Sequence, residues 1–175
     1  MASPCQCLMR TRWMQVGVPS VVASCAIVAV VLAWSCGGAI SQPDALQCDQ
    51  SLWSHVYLPE RLQMIDACRS MTGIVQNEHQ NDDGDVDVRV TPDPQYVSLL
   101  NDANRKNLNG ALQVEAVCQG PIKPSVPSAE SACGDYRGSV VVPPVGAHVQ
   151  VVGSYVLDTN HGWMEIHPVT RITIQ

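Results

Sequence analysis

Twelve residues near the C-terminus, Asp158-Thr159-Asn160-His161-Gly162-Trp163-Met164-Glu165-Ile166-His167-Pro168-Val169, hold two of the five histidines, two carboxylates and a tryptophan. If 163–167 is a strand, Trp163, Glu165 and His167 share one face while Met164 and Ile166 share the other. Residues two apart on a strand are separated by about 6.5 Å at the backbone. From that spacing a carboxylate and an imidazole can converge on one ion. Glu165-x-His167 is therefore a candidate chelate, and His161 or Asp158 from the preceding turn offers a third donor. A set of two histidines and a glutamate with one open position is how catalytic zinc is held. The alternative is structural: Glu165 and His167 hydrogen-bond the backbone or each other to lock the last strand, and Trp163 packs beside them. The candidate binding residues are Asp158, His161, Trp163, Glu165 and His167. The candidate metal donors are Asp85, His161, Glu165 and His167, for zinc or calcium.

Other arrangements are weaker. Asn81-Asp82-Asp83-Gly84-Asp85-Val86-Asp87 invites a calcium loop, but counting from Asn81 the obligatory glycine position holds Val86 and the bidentate position holds Pro92. An acidic turn feeding a strand accounts for it, with an irregular oxygen site shared with Glu165 as the functional reading. The helical zinc motif His-Glu-x-x-His and the nucleophile motif Gly-x-Ser-x-Gly are both absent. The two function classes left are a non-enzymatic binding or structural module and a metal-dependent hydrolase using His161, Glu165 and His167.

Charge narrows the partners. From residue 42 onward, eight Lys and Arg face sixteen Asp and Glu, a balance of -8. Such a surface repels a phosphate backbone, and no basic cluster offsets it, which disfavours nucleic acid.

Residues 16–34 form an uncharged apolar run after Arg10 and Arg12, followed by small residues. That order describes an export signal. Cleavage after Ser35 or Ser41 is one fate, lipidation at Cys36 a second, and an uncleaved anchor spanning about 30 Å of hydrocarbon a third. Each puts the remainder outside the cytoplasm, secreted or tethered to the cell envelope or membrane. Residues 1–41 are thus a signal or anchor helix, 42–60 a linker or N-terminal extension, and 61–175 the folded domain.

Of eight cysteines, four (Cys48, Cys68, Cys118 and Cys133) lie in the domain. Their spacings do not suit zinc, so two disulfides are expected. Three pairings are open, and the local one, Cys48 with Cys68 and Cys118 with Cys133, is favoured.

The elements that must position the candidate residues follow from periodicity. Residues 61–76 read as a long strand bent at Gly73, and 85–90 alternate without a break, as its hairpin partner. There Asp85, Asp87 and Arg89 oppose the valines. A short helix runs from Pro94 through Leu100, 101–110 are loop, and 111–118 are a strand. Residues 119–139 make a Pro-rich surface loop pinned by cysteines. Strands at 147–157 and 163–174 complete an all-β domain, a small five- or six-stranded OB-like barrel with one short helix.

The run His161 to Val169 resembles the C-terminal His-Gly-Trp-x-Glu-Ile-His-Pro-Val of a family of small exported bacterial and archaeal proteins. The likeness extends through residues 143–158 and Asp83-Gly84-Asp85, covering roughly 61–174 with 119–139 variable. It implies an OB-like barrel without an established activity. That family often has His where this chain has Asp87, a departure that weakens a zinc site and favours oxygen ligation or none. Asp83-Gly84-Asp85 is also similar to the opening of staphylococcal-type nucleases, which use calcium; the further Arg and Glu of that pattern are not identifiable here.

Overall fold

The strongest alternation in the chain becomes the strand that organises one side of the domain. A computed structural model describes residues 46–175, so the expected signal or anchor at 1–41 lies outside the described residues. Five strands carry the structure: β1 (Leu62–Gln80), β2 (Val86–Pro92), β3 (Leu112–Ala116), β4 (His148–Asp158) and β5 (Met164–Ile174). They form one sheet, and helical content is small. The class is all-β, as the alternation implied. Among the described residues, no helix is long and apolar enough to cross a membrane.

Strand β1 is shared between two neighbours. Its residues Leu62 to Ile74 pair antiparallel with β4, and Gly73 to Gln80 pair antiparallel with β2. Gly73 sits at the handover. A Cβ there would lie 2.2 Å from the Thr91 carbonyl oxygen, so only glycine lets the two backbones approach. Strand β2 pairs antiparallel with β3, β3 parallel with β5, and β5 antiparallel with β4. Every strand therefore has two paired neighbours.

The apolar sides of these strands meet in one cluster that includes Met71, Val75, Val88, Val90, Leu112, Val114, Val151 and Ile166. A smaller cluster gathers Leu52, Val56, Val117, Ala132 and the disulfide of Cys118 and Cys133. Disulfides join Cys48 to Cys68 and Cys118 to Cys133, the local pairing. The loop of 119–139 is only in part a surface feature, because Ala129 and Cys133 are fully buried in it.

The connection between β2 and β3 departs from the sequence reading. A 3-10 helix spans Pro94–Leu99, and the expected loop contains a helix, α1 (Asp102–Asn107). Asn101 caps it through the Asn104 amide, and the Asn104 side chain returns a bond to the Asn101 N–H. A second short helix, α2 (Glu130–Cys133), lies in the expected surface loop, so among the described residues both α-helices stand where loops were expected, while the expected helix is 3-10.

Candidate functional site

Three adjacent strands put their polar alternates on the same side. Asp87 lies opposite Glu115 and Arg89 opposite Gln113 across β2 and β3, and Gln113 lies opposite Glu165 across β3 and β5. Direct partners of this kind have Cβ atoms about 5 Å apart. The result is two rows of polar side chains, Arg89-Gln113-Glu165 and Asp87-Glu115, with His167 beside Glu115. The apolar alternates Val88, Val90, Val114 and Ile166 fill the opposite side.

This layer is polar and buried. Glu165 and His167 are fully buried, Asp85, Gln113 and Glu115 nearly so. The His167 Nδ1 lies 2.9 Å from Glu115 Oε2 and 3.3 Å from Glu165 Oε2. Arg61, entering ahead of β1, pairs with Asp158 and lies 3.7 Å from Glu115. Burial pulls the His167 pKa down, but the Glu115 charge and the hydrogen bonds of both glutamates overcome it and raise it to about 10. Burial works against ionised Glu115 as well, yet His167 and Arg61 hold its pKa below the usual value. Glu165 moves the other way, raised by burial and by the neighbouring Glu115 charge. Buried imidazolium and carboxylate thus form an ion pair, with Glu165 beside it.

Asp85 and Asp87 complete the edge of the layer. Burial raises each to about 7, reinforced by the Asp83 charge on Asp85 and by the Glu115 charge on Asp87. Asp85 accepts the Cys118 N–H at 2.7 Å, and Asn81 donates to Asp87 at 2.7 Å. The acidic turn is therefore tied to the disulfide loop.

Asp158, at the end of β4, organises the turn into β5. It accepts the backbone N–H groups of Asn160 and His161, at 2.7 and 3.1 Å, and contacts the His161 ring at 2.9 Å. Burial would raise its pKa, but the His161 hydrogen bond and Arg61 lower it. Gly162 takes φ +79° in that turn, where glycine has no Cβ penalty. His161 is half-exposed and stacks parallel on Trp163, with ring centroids 4.4 Å apart. The Trp163 Nε1–H donates to Glu165 Oε1 at 2.5 Å.

The expected donors Asp85, His161, Glu165 and His167 fall into two groups. Asp85 and His167 meet Glu115, and His161 and Glu165 meet Asp158, with donor atoms in each group within 4.8 Å of one another. Glu165 and His167 point into the layer, while His161 leaves from the turn toward solvent.

A cleft of about 390 Å³ opens over this layer, lined among others by Tyr57, Arg61, Asp87, Arg89, Gln113, Glu115, His161 and Trp163. That size suits a small-molecule site. Two fully buried atoms nearby have no hydrogen-bond partner, Gln113 Oε1 and His167 Nε2. Sequence reasoning did not single out Arg61, Gln113 or Glu115. The unbroken alternation of 111–118 was the available signal, since it set Gln113 and Glu115 apart from the valines.

No protein-family model matches the chain, and no curated protein sequence matches it.

Proposed function

We propose that this chain is an exported OB-like module that binds a small polar ligand in the cleft over β2 and β3. The ring of strand pairings, with β3 parallel to β5 and β4 returning to β1, supports the OB-like reading. One observation carries the function. The cleft lining comes from the β1–β2 loop (Asn81, Asp83), the outward sides of β2 and β3 (Asp87, Arg89, Gln113, Glu115) and the β4–β5 turn (Asn160, His161, Trp163). This is the face on which OB-folds take their ligands. Export rests on the leader pattern and on two disulfides, which persist in oxidising compartments.

The test is residue-resolved NMR of the full chain titrated with maltotriose, cellotriose, triacetylchitotriose, spermidine, inorganic phosphate and a short oligothymidylate. Saturable shifts at Arg89 and Trp163, with the probe recovered intact, are expected. Turnover of a probe, or no shift at the cleft from any of them, overturns the reading.

A metal-dependent hydrolase is the second reading, favoured by one observation. Asp85, Glu115 and His167 offer donor atoms within 4.8 Å of one another, and His167 Nε2, which has no hydrogen-bond partner, would take a metal by releasing its proton. A carboxylate on one ring nitrogen commonly orients the other toward a metal. Failure of the folded protein to retain zinc, manganese or calcium after dialysis removes it.

A further inference from the structure

We propose that the ligand of this cleft is a neutral saccharide, an inference that rests on the binding reading above and names the chemistry of the same site. It starts from what the lining leaves unsatisfied. Gln113 is 3% exposed and lines the cleft together with Asp87. Its carbonyl oxygen is left fully buried with no partner. A buried amide acceptor without a donor is costly, so a ligand that brings an O–H or N–H to this point gains the bond and relieves the cost.

Beside it stands the opposite need. Arg89 is the direct cross-strand partner of Gln113, and among the described residues its guanidinium makes no ion pair and no side-chain hydrogen bond. Arginine only donates and glutamine oxygen only accepts. Their Cβ atoms are about 5 Å apart, so one ligand must accept from the first and donate to the second over a short span. Adjacent hydroxyl groups on one sugar ring do this, because each hydroxyl both donates and accepts.

The remaining lining excludes the rivals. Asp83 and Asp87 face the same cleft, which opposes a phosphate or a carboxylate ligand, while Glu115 is balanced by His167 and Arg61. Arg61 does not reverse that balance, since it is already paired with Asp158 and Glu115. A polyamine would be drawn to the carboxylates but would leave Arg89 facing a cation and without an acceptor. Trp163, with one face on His161, lines the same cleft, and an aromatic ring in the lining suits the C–H face of a pyranose.

The same titrations decide it, with Arg89→Ala as the first variant because that side chain holds no partner in the fold. A trisaccharide is expected to shift Gln113, Arg89 and the Trp163 indole N–H together, while the Trp53 indole, hydrogen-bonded to Ser154 at 3.1 Å, stays still. Arg89→Ala and Trp163→Ala are each expected to weaken binding about tenfold or more, with near-UV circular dichroism of Arg89→Ala unchanged. Sugar binding that Arg89→Ala leaves intact overturns the inference. Spermidine, phosphate or oligothymidylate shifting these signals when no trisaccharide does also overturns it, yet leaves the binding reading standing. Silence from every probe overturns both.

Discussion

The two sides of β3 are equally hidden from water and are held by opposite physics. Leu112, Val114 and Ala116 are fully buried among other aliphatics, where stability comes from area removed from water and tolerates small errors of shape. Gln113 and Glu115, on the other side, are buried among Arg61, Asp87, Glu165 and His167. There a charge taken out of water is tolerable only while its partners remain. A sheet with one dry side and one charged side fails in different ways according to which side is damaged. The charged side is also where unmet hydrogen-bonding capacity collects, hence where a ligand has something to add.

The largest expected effect comes from breaking the charged side. Glu115→Ala removes the nearest carboxylate of the buried His167 imidazolium and one of the two that face Arg61, and should cost about 3–5 kcal/mol in urea unfolding of the full chain. A loss below that of Ile166→Val would put the weight on the apolar side instead. Next is the Cys118–Cys133 disulfide, which closes a 15-residue separation and ties the Asp85 edge to α2. Replacing both cysteines by serine should cost about 3 kcal/mol, read as a fall in unfolding midpoint.

The pH profile separates the sides without any mutation. Asp85 and Asp87, raised from 3.8 to about 7, hold protons in the folded state that the unfolded chain releases. The stability they contribute is present below about pH 4 and is lost as pH rises through 7. His167, raised from 6.5 to about 10, contributes stability present below pH 6.5 and lost as pH rises through 10. Glu115 and Asp158, both lowered, oppose this only in acid. Midpoints should therefore fall from mildly acidic to alkaline pH, and Asp85→Asn should flatten the segment between pH 4 and 7 by on the order of 1–3 kcal/mol. A rise in stability from pH 5 to 8 would contradict this ordering of charges. Smallest is Ile166→Val on the dry side, about 0.5–1.5 kcal/mol, with no change in the shape of the pH profile.

Much of this was legible from local pattern. The alternation at 85–90 gave β2 and its faces, Gly73 in the long first strand lies where β1 passes from β4 to β2, and cysteine spacing suggested the observed disulfide pairing. The Glu165-x-His167 spacing put both side chains on one face, where they are. The remainder depended on register between distant segments. Glu115 meets His167 through a parallel pairing across about fifty residues, and nothing in either segment encodes that alignment. Arg61 reaches Asp158 and Glu115 because β1 begins beside the end of β4, again a non-local fact. The helix at 102–107 was missed because its cap uses Asn101 and Asn104, and asparagine is as common in turns as at helix starts.

The order of the strands along the chain has a consequence for synthesis. Glu165 and His167 are made after Arg61 and Glu115. A chain emerging from its N-terminus carries β1 to β3 without the imidazole that their carboxylate requires. The pairings that return to β1 through β4 and β5 wait until those two strands are made. A chain that stops short of β5 holds an unfinished sheet edge and an unneutralised carboxylate, so the sheet and its charged side are completed together.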